Sequence, residues 1–308
     1  MKIYEGINNF KRLDFAVVTI GTFDGVHKGH QKILNRLIEV ARMNNGESVL
    51  ISFWPHPRMV LNNDPGFLRL INTMEEKQIL LRNMGIDHLI LIPFTREFAQ
   101  TSSTDFIKKI LVETIGTKKL IIGYNHRFGK NREGNFQDLL KNSHTYGFDV
   151  EEITKHEIDD IGISSTIIRK SLANGDITTA EKYLGHPFIV NGLVIHGDKL
   201  GKTIGFPTAN LQIEEAYKLI PGDGVYAVRV NVSDKEYMGM LNIGKRPTVD
   251  GVDRKIEVHI LKFNREIYDL KICIAFVQKI RDEKKFQSLD QLKEQLIKDK
   301  KSIIEILS

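Results

Sequence analysis

The stretch FAVVTIGTFDGVHKGH, residues 15–30, joins an apolar run to a glycine-rich turn that contains two histidines. Residues 15–20 combine β-branched and other apolar side chains, which is typical of a buried strand. Beyond the turn, apolar residues recur at the spacing of a helix face: Ile33, Leu34, Leu37, Ile38 and Ala41. A buried strand, a glycine-rich turn and a helix in this order predict the first unit of a doubly wound parallel sheet.

The same alternation of strand-like and helix-like segments continues to about residue 184. Short apolar runs at residues 48–53, 88–93, 119–123 and 148–153 are predicted strands. Segments with helical periodicity lie between them, as at Ile79, Leu80 and Met84. Because alternating strands and helices indicate crossover connections, residues 1–184 are expected to form a Rossmann-like α/β domain whose parallel sheet is covered on both faces.

Beyond Leu184 the predicted strands follow one another directly, with turn residues between them. They span residues 188–196, 225–232, 237–243, 255–261 and 271–280. This succession predicts a mostly antiparallel β-barrel or a sandwich in residues 185–308. A C-terminal helix is expected after Ser288, a suitable N-cap, because apolar residues then recur at helical spacing: Leu289, Leu292, Leu296, Ile303 and Leu307.

The composition of the 308 residues, with 41% hydrophobic and 27% charged residues, excludes a disordered or collagen-like chain. A single Cys excludes an intrachain disulfide and fits a reducing compartment. The net charge of +5 suits phosphate-rich ligands, and the interleaved charges of residues 278–308 argue against a nucleic-acid-binding tail. We find no signal-peptide pattern and no apolar run long enough to span a membrane. We therefore expect a cytoplasmic protein with small-molecule partners and without nucleic-acid or membrane partners.

The turn at residues 21–30 is the first of four stretches that carry chemistry. Its glycines let the backbone approach a ligand, and the helix N-terminus that follows offers N–H groups to phosphates. His27 and His30 are three residues apart, so both can project from one side of the first helical turn. Two imidazoles at this place can donate hydrogen bonds to a triphosphate and stabilise the charge that grows during phosphoryl transfer. The alternative is a pair of surface histidines at a helix cap.

Two further stretches follow predicted strands at their carboxyl ends, which is the ligand side of a parallel sheet. Residues 53–58 place His56, Pro57 and Arg58 there, although two prolines also fit a stiff connecting loop. Residues 123–134 supply aromatic rings for stacking and arginines for a phosphate or a ring.

Residues 163–169 predict the start of another helix. Ser164 or Ser165 suits a plain N-cap, which is the usual role of such a serine. Alternatively, the helix N-terminus, the hydroxyl groups and Arg169 complete a phosphate site.

The fourth stretch, residues 197–210, is a glycine-rich loop in the second half of the chain. Gly201-Lys202-Thr203 is reminiscent of a P-loop, but Gly197 and Gly201 are separated by three residues where that motif needs four, and Pro207 follows in place of a helix. A glycine-rich loop over a nucleotide remains open. Thr208 and Asn210 share one face if they lie on a strand, and their oxygen atoms suit Mg²⁺.

Glu257 interrupts an apolar strand-like run, Lys255-Ile256-Glu257-Val258-His259-Ile260. A buried carboxylate is costly unless it is paired or has a task, so Glu257 is a candidate base for a substrate hydroxyl. The alternative is a strand residue that faces solvent.

Taken together and in their order, these motifs resemble those of the prokaryotic bifunctional riboflavin kinase/FAD synthetase family over essentially the whole chain. Residues 21–30 resemble its adenylyltransferase signature with the His-x-Gly-His core. Residues 205–210 resemble its kinase signature Gly-Phe-Pro-Thr-Ala-Asn. The remaining similar segments are residues 54–58, 123–134, 164–169, 224–226, 242–248, 257–259 and 281–286.

The resemblance implies two ATP-dependent reactions that both need Mg²⁺. The C-terminal riboflavin kinase module, residues 185–308, would phosphorylate riboflavin at its ribityl 5′-hydroxyl to give FMN. The N-terminal FMN adenylyltransferase module, residues 1–184, would convert FMN and ATP to FAD and pyrophosphate.

The resemblance also implies roles for single residues. His27 and His30 would be catalytic in the first module, whose ATP and FMN would be bound by Gly21, Phe23, Asp24, Gly25, His56, Pro57, Arg58, Asn125, Arg127, Ser164, Ser165, Thr166 and Arg169. In the kinase, Thr208 and Asn210 would hold the magnesium–nucleotide, Glu257 would act as base, and Arg281 belongs to a segment that closes on the flavin. The other kinase residues that would bind ATP or flavin are Gly197, Lys202, Thr203, Gly205 and Pro207.

One departure from the family concerns Asn125-His126, where many relatives have Asp-Phe. Three hypotheses follow: an enzyme with both activities, a riboflavin kinase whose first half turns over poorly, and a flavin-binding regulatory protein without catalysis. The presence of Thr208, Asn210 and Glu257 argues against the third.

Overall fold

The chain folds into two units in a computed structural model, Met1–Ser165 and Thr166–Ser308. The structure describes residues 1–61, 68–124, 126–154, 162–197, 200–248 and 251–308, and Asn125 therefore lies outside the described residues. The last two helices before residue 185, Ser165–Ala173 and Ile177–Leu184, belong to the second unit except for Ser165, whereas the sequence pattern assigned both to the first domain. A boundary between catalytic modules at residues 184/185 stays a prediction.

A six-stranded parallel sheet forms the first unit. Its strands are β1 (Lys2–Glu5), β2 (Ala16–Ile20), β3 (Glu47–Trp54), β4 (His88–Pro93), β5 (Thr117–Gly123) and β6 (Asp149–Ile153). They lie in the order β1-β4-β3-β2-β5-β6, and every pair is parallel. The chain crosses from β4 on one side of β2 to β5 on the other, so the sheet has its switch point between β2 and β5. The predicted Rossmann-like α/β class is confirmed.

Helices connect these strands and cover both faces of the sheet. They are α1 (Lys28–Met43), α2 (Pro57–Leu61), α3 (Met74–Met84), α4 (Ser103–Asp105, continued as a π-helix over Phe106–Ile115) and α5 (Phe136–Tyr146). Val18 and Ile51 belong to the apolar core on one face, while Leu34 of α1 packs with Leu50 in the core on the other. Alternate residues of each strand thus point to opposite cores, as the pleat requires.

The second unit begins with two helices, α6 (Ser165–Ala173, whose first residue closes the first unit) and α7 (Ile177–Leu184). Both are tied to the loops of the unit they open. Gly222 N–H donates to the Leu172 carbonyl at 2.9 Å, and Phe188 N–H donates to the Glu181 carboxylate at 2.8 Å.

A closed six-stranded barrel follows, which confirms the predicted barrel and excludes the sandwich. Its elements are β7 (Ile189–Ile195), α8 (Leu200–Thr203), β8 (Ala209–Gln212), β9 (Gly224–Val232), β10 (Lys235–Thr248), β11 (Gly251–Ile260) and β12 (Lys271–Arg281). The strands close in the order β10-β11-β8-β7-β12-β9, with antiparallel neighbours.

The predicted C-terminal helix is α9 (Leu289–Leu307), and Ser288 caps it by accepting a 3.3 Å hydrogen bond from Gln291 N–H. Ile303 and Leu307 of α9 are buried against the barrel residues Val225 and Met240. None of the described helices is long and apolar enough to cross a membrane.

Candidate functional sites

The turn after β2 has a strained backbone. Phe23, Gly25 and Val26 have φ values of 47°, 87° and 40°. Glycine adopts such values freely, whereas Phe23 and Val26 do so at a cost of about 1–3 kcal/mol each. A side chain at Gly21 is excluded as well, because a Cβ there would lie 2.8 Å from the Phe23 ring. The surrounding structure must therefore hold this turn in place.

Hydrogen bonds from several described residues tether the turn. The buried Asp24 carboxylate accepts hydrogen bonds from Ile71 N–H at 2.9 Å and from Asn72 N–H at 3.5 Å. The Ser165 hydroxyl donates to the Asp24 carbonyl at 2.9 Å, so this serine contacts the turn directly. The ammonium group of Lys77, on α3, donates to the Thr22 carbonyl at 2.8 Å.

The two histidines stack on each other at the N-terminus of α1. Their ring centroids are 3.6 Å apart and the rings are inclined by 16°. His27 is the N-cap, and its Nδ1 accepts a 3.3 Å hydrogen bond from His30 N–H. Since Nδ1 is an acceptor, the neutral ring carries its proton on Nε2 and can donate from there.

Burial lowers the pKa of His30 well below its ordinary value, and the charges of His27 and Lys77 lower it further. The Nδ1 atom of His30 is buried, and no described residue bonds to it. His30 is therefore neutral at physiological pH and has an uncommitted ring nitrogen beside the helix N-terminus.

The predicted residues His56, Pro57, Arg58 and Arg127 follow the carboxyl ends of β3 and β5. His56 is buried at the end of β3, where its Nδ1 accepts from Arg58 N–H at 3.1 Å, and Pro57 begins α2. Arg58 and Arg127 are exposed. Ser164 precedes α6, and Thr166 and Arg169 lie on it.

His126, beyond the end of β5, is the described member of the pair Asn125-His126, for which the sequence analysis noted a departure from the family pattern. Burial, helped by the charge of Arg132, lowers its pKa to about 4, so its imidazole is neutral at physiological pH. Its ring stacks on Phe128 with centroids 5.8 Å apart, and no described residue bonds to its Nε2.

The carboxyl edge of the sheet thus combines the N–H groups of the α1 N-terminus with two stacked imidazoles beside the switch point. This is the place where an open α/β sheet binds its ligand, and it suits a polyphosphate.

A cavity of about 280 Å³ lies in the second unit. It is lined by Gly201, Ile204, Phe206, Thr208, Asn210, Val225, Met240, Asn242, Glu257, His259, Arg281, Glu283, Lys284, Phe286, Leu292 and Leu296. Apolar and aromatic walls with a few polar groups are typical of a small-molecule site.

A row of polar side chains crosses three neighbouring strands at this cavity. Glu257 on β11 pairs with Asn210 on β8 and with Asn242 on β10. Its side chain lines the cavity and is half-buried, so Glu257 is not a strand residue that faces only solvent. Thr208, just before β8, joins the row from the loop.

The oxygen atoms of Thr208 and Asn210 fit a hard divalent cation such as Mg²⁺. The main chain of Gly197 packs directly on the Asn210 amide, because a Cβ at residue 197 would lie 2.0 Å from Asn210 Nδ2. Only glycine therefore leaves Asn210 its place beside the cavity.

Two further contacts shape the cavity. His259 Nδ1–H donates to the Pro207 carbonyl at 2.7 Å, and burial lowers the pKa of His259, so the ring fixes the loop as a neutral group. Arg281 forms a bidentate ion pair with Asp299 of α9, with Nη2 at 2.8 Å and Nε at 3.0 Å from Oδ2. The C-terminal helix thus orients a cation at the cavity.

The structure brings four predicted kinase residues to the cavity: Thr208, Asn210, Glu257 and Arg281. Four other predicted residues are exposed and do not line the cavity: Lys202, Thr203, Gly205 and Pro207. The first two end α8, and the other two lie between α8 and β8. Sequence reasoning did not assign four of the lining residues to the site: Asn242, His259, Glu283 and Phe286. His259 lies on β11, which pairs with β8, and Asn242 lies on β10, which pairs with β11.

The two units match sequence models of two enzyme families. The FAD synthetase model matches residues 10–167 and the riboflavin kinase model matches residues 184–307. The fold and its two sites therefore define a two-domain transferase of flavin cofactor synthesis.

Whole-length relatives join the two activities in one chain. The chain is 40% identical to the bifunctional riboflavin kinase/FMN adenylyltransferase of Escherichia coli strain K12 over 302 residues, which cover 97% of this chain and 96% of the relative. It is 37% identical to that of Listeria monocytogenes over 284 residues, which cover 92% and 90%. The chain belongs to the bifunctional riboflavin kinase/FMN adenylyltransferase family, and it is an enzyme with both catalytic domains.

A solved structure from Streptococcus pneumoniae, described as a macrolide-efflux protein, shares the fold. It is 32% identical, with a TM-score of 0.89 and coverage of 97% of both chains.

Proposed function

We propose that each reaction is carried by the residues of its own site, with FMN adenylylation at the turn after β2 and riboflavin phosphorylation at the barrel cavity. The observation that supports this division most directly is the row Asn242–Glu257–Asn210 at the cavity, far along the chain from His27 and His30.

In the first site, the 5′-phosphate of FMN attacks the α-phosphorus of ATP, and the bond to pyrophosphate breaks. His27 Nε2–H and the α1 N-terminus donate hydrogen bonds to the phosphate oxygens as negative charge moves toward the leaving group. The neutral His30 ring adds a second imidazole on the same side. Residues Gly21 and Gly25 let the backbone come close enough for these contacts.

In the second site, the ribityl 5′-hydroxyl of riboflavin attacks the γ-phosphorus of ATP and ADP leaves. Glu257 accepts the hydroxyl proton. The side-chain amides of Asn242 and Asn210, on the strands to either side, give the carboxylate a polar environment. Thr208 and Asn210 are the residues that would hold Mg²⁺, which when bound neutralises phosphate charge. Phe286 and Met240 supply apolar wall for the flavin ring.

We further propose a cytoplasmic enzyme whose partners are ATP, riboflavin and FMN. A single Cys and the supply of ATP and flavin support this location.

The assignment of one reaction to each site is tested with the unchanged protein and two variants. Each purified protein is incubated with riboflavin, ATP and Mg²⁺, and the flavins are separated by chromatography. The unchanged protein should give FMN and FAD. His30→Ala should stop at FMN, and Glu257→Gln should fail to make FMN but still convert supplied FMN to FAD. Loss of both activities in either well-folded variant would contradict the assignment.

A further inference from the structure

A buried lysine lies beneath the phosphate-binding turn of the first unit. Lys77, on α3, is 5% exposed, and its hydrogen bond to the Thr22 carbonyl is 2.8 Å long. Burial of an ammonium group is costly unless the group is paired or has a task. The sequence pattern did not single out Lys77, and the proposed reaction steps do not use it.

Lys77 faces charged and titratable groups of the turn and of α1. Asp24, which is 2% exposed, attracts the ammonium group, and Lys77 in turn lowers the pKa of His30. Burial outweighs the attraction of Asp24 and lowers the pKa of Lys77 from 10.5 to about 8. Because the pKa is lowered, the folded protein gives up this proton between about pH 8 and 10, where an exposed lysine stays charged.

The contact of Lys77 is made at the residue that enters the strained part of the turn. Thr22 precedes Phe23, and the backbone at Phe23 and Val26 is held at positive φ. Other tethers act on Asp24, through Ile71, Asn72 and Ser165, and on the Val26 carbonyl, which accepts a 2.8 Å hydrogen bond from the Gln31 amide. Because a charge-assisted hydrogen bond is roughly twice as strong as a neutral one, the bond from Lys77 is a strong restraint on Thr22.

We propose that Lys77 is a positioning residue for FMN adenylylation, and that its hydrogen bond to Thr22 holds the turn in the conformation that presents His27 and His30. This inference rests on the proposed assignment of that turn to adenylyl transfer. Displacement of catalytic groups by about 1 Å can cost up to about 10²-fold in rate, which sets the size of the expected effect.

The first test is Lys77→Met, which removes the donor and the charge but keeps the length of the side chain. The kcat of FMN adenylylation should fall by about 10- to 100-fold. The melting temperature should change little, because removal of a costly buried charge offsets the lost attraction to Asp24, which keeps its hydrogen bonds from Ile71 N–H and Asn72 N–H. A lysine with only a structural role gives the opposite pattern, a lower melting temperature and an unchanged kcat per folded molecule.

Two controls accompany this variant. Riboflavin phosphorylation by the same preparation should be unchanged, because it takes place in the second unit. Arg82→Met removes an exposed cation from the same helix and should leave both reactions unchanged.

Lys77→Arg and Lys77→Gln complete the series. We expect the kcat of the unchanged enzyme to decline above about pH 8 as Lys77 loses its proton. Arginine keeps the charge and the donor and does not titrate below pH 12, so Lys77→Arg should keep most of the kcat and abolish this decline. Glutamine removes the charge and shortens the side chain, and it replaces methionine in the comparison if Lys77→Met does not fold.

Three outcomes decide the inference. The role of Lys77 is overturned if Lys77→Met, or Lys77→Gln in its place, has a kcat of FMN adenylylation within twofold of the unchanged enzyme. It is also overturned if the kcat of Lys77→Arg declines above pH 8 as much as that of the unchanged enzyme. If His30→Ala also leaves adenylylation intact, the assignment of the turn itself is wrong. If His30→Ala abolishes adenylylation and Lys77→Met does not, only the role of Lys77 is refuted.

Discussion

At the scale of single residues, the proposed role of Glu257 as a base gives the sharpest test, because this residue lies between two asparagines at the cavity. Glu257→Gln keeps the size of the side chain and removes its basicity. We expect FMN formation to fall by roughly 10²-fold or more, within the range of general-base catalysis. Synthesis of FAD from supplied FMN should not change.

Rates of both reactions, measured on one preparation, check this prediction, and riboflavin affinity is followed by flavin fluorescence. Glu266→Gln, in the exposed loop between β11 and β12, is the matched control. Near-normal FMN formation by Glu257→Gln would remove Glu257 from the mechanism.

His30 gives a second prediction at this scale. His30→Ala removes one of the two stacked imidazoles and should reduce FMN adenylylation by roughly 10²–10³-fold, the scale for loss of one transition-state donor. Because the pKa of His30 is lowered, its ring stays neutral as the pH falls to 6.5, so this residue should add no acid limb near its ordinary pKa. Initial rates of FAD formation between pH 5.5 and 8, chosen to span roughly the ordinary histidine range, measure both effects.

The exposed His144 of α5 offers the control substitution, His144→Ala. An equal loss in both histidine variants would show that the effect is not specific to the turn.

At the scale of secondary-structure elements, α9 contributes to the kinase cavity through a buried ion pair. Asp299 is 2% exposed and also accepts a 2.8 Å hydrogen bond from Gln295. Asp299→Asn leaves Arg281 without its anionic partner. Loss of one partner of a buried pair costs about 3–5 kcal/mol, and we expect a loss near the lower end because Arg281 keeps 20% of its side chain exposed.

The free energy of unfolding by urea and the KM for riboflavin measure this prediction. Both should change in Asp299→Asn, with the KM rising because Arg281 is no longer held at the cavity. Glu294→Gln removes an exposed carboxylate from the same helix and serves as the control. An unchanged KM would mean that the ion pair stabilises α9 without orienting the site.

The strands of the core were predictable from the sequence to within a few residues, because β2 to β5 are runs of buried apolar side chains. β1 was not predicted, since four residues with two exposed ends carry no periodicity. β8 was not among the predicted strands either, because Ala209–Gln212 has only one fully buried residue.

The sequence revealed the motifs of the two sites but not the contacts between residues that are distant along the chain. The glycine turn, His27, His30 and Glu257 stand out because each residue type is unusual in its surroundings. Asn242 was not assigned to the site, since its place beside Glu257 depends on the register between β10 and β11. The tether of Lys77 to Thr22 joins residues 55 positions apart, and helix periodicity does not reveal such a contact.

At the scale of the whole molecule, the place where the chain divides can be tested with two fragments. Leu172, Ala180 and Leu184 of α6 and α7 are fully buried, and both helices bond to the loops of the second unit. Residues 166–308 should therefore be more stable than residues 186–308 by several kcal/mol, because loss of even one buried leucine side chain costs about 2–5 kcal/mol.

Urea unfolding of both fragments measures this difference, and chromatography of flavins shows whether each makes FMN without FAD. Equal stabilities would place the boundary of the folding unit at residue 185, as the sequence pattern predicts. A folded but inactive fragment 166–308 would show that the kinase needs the first unit for catalysis.

Among the residues that the structure describes, β1 and β6 of the first sheet have a neighbouring strand on one side only, whereas the barrel strands pair on both sides. Such edges can recruit a strand from another molecule and start aggregation. β1 limits this risk by its length of four residues, and β6 does so with Asp149, Glu151 and Glu152. The two units therefore resist edge-to-edge association in different ways: the first relies on the short length of β1 and the negative charges of β6, whereas closure of the barrel leaves the second without an open sheet edge.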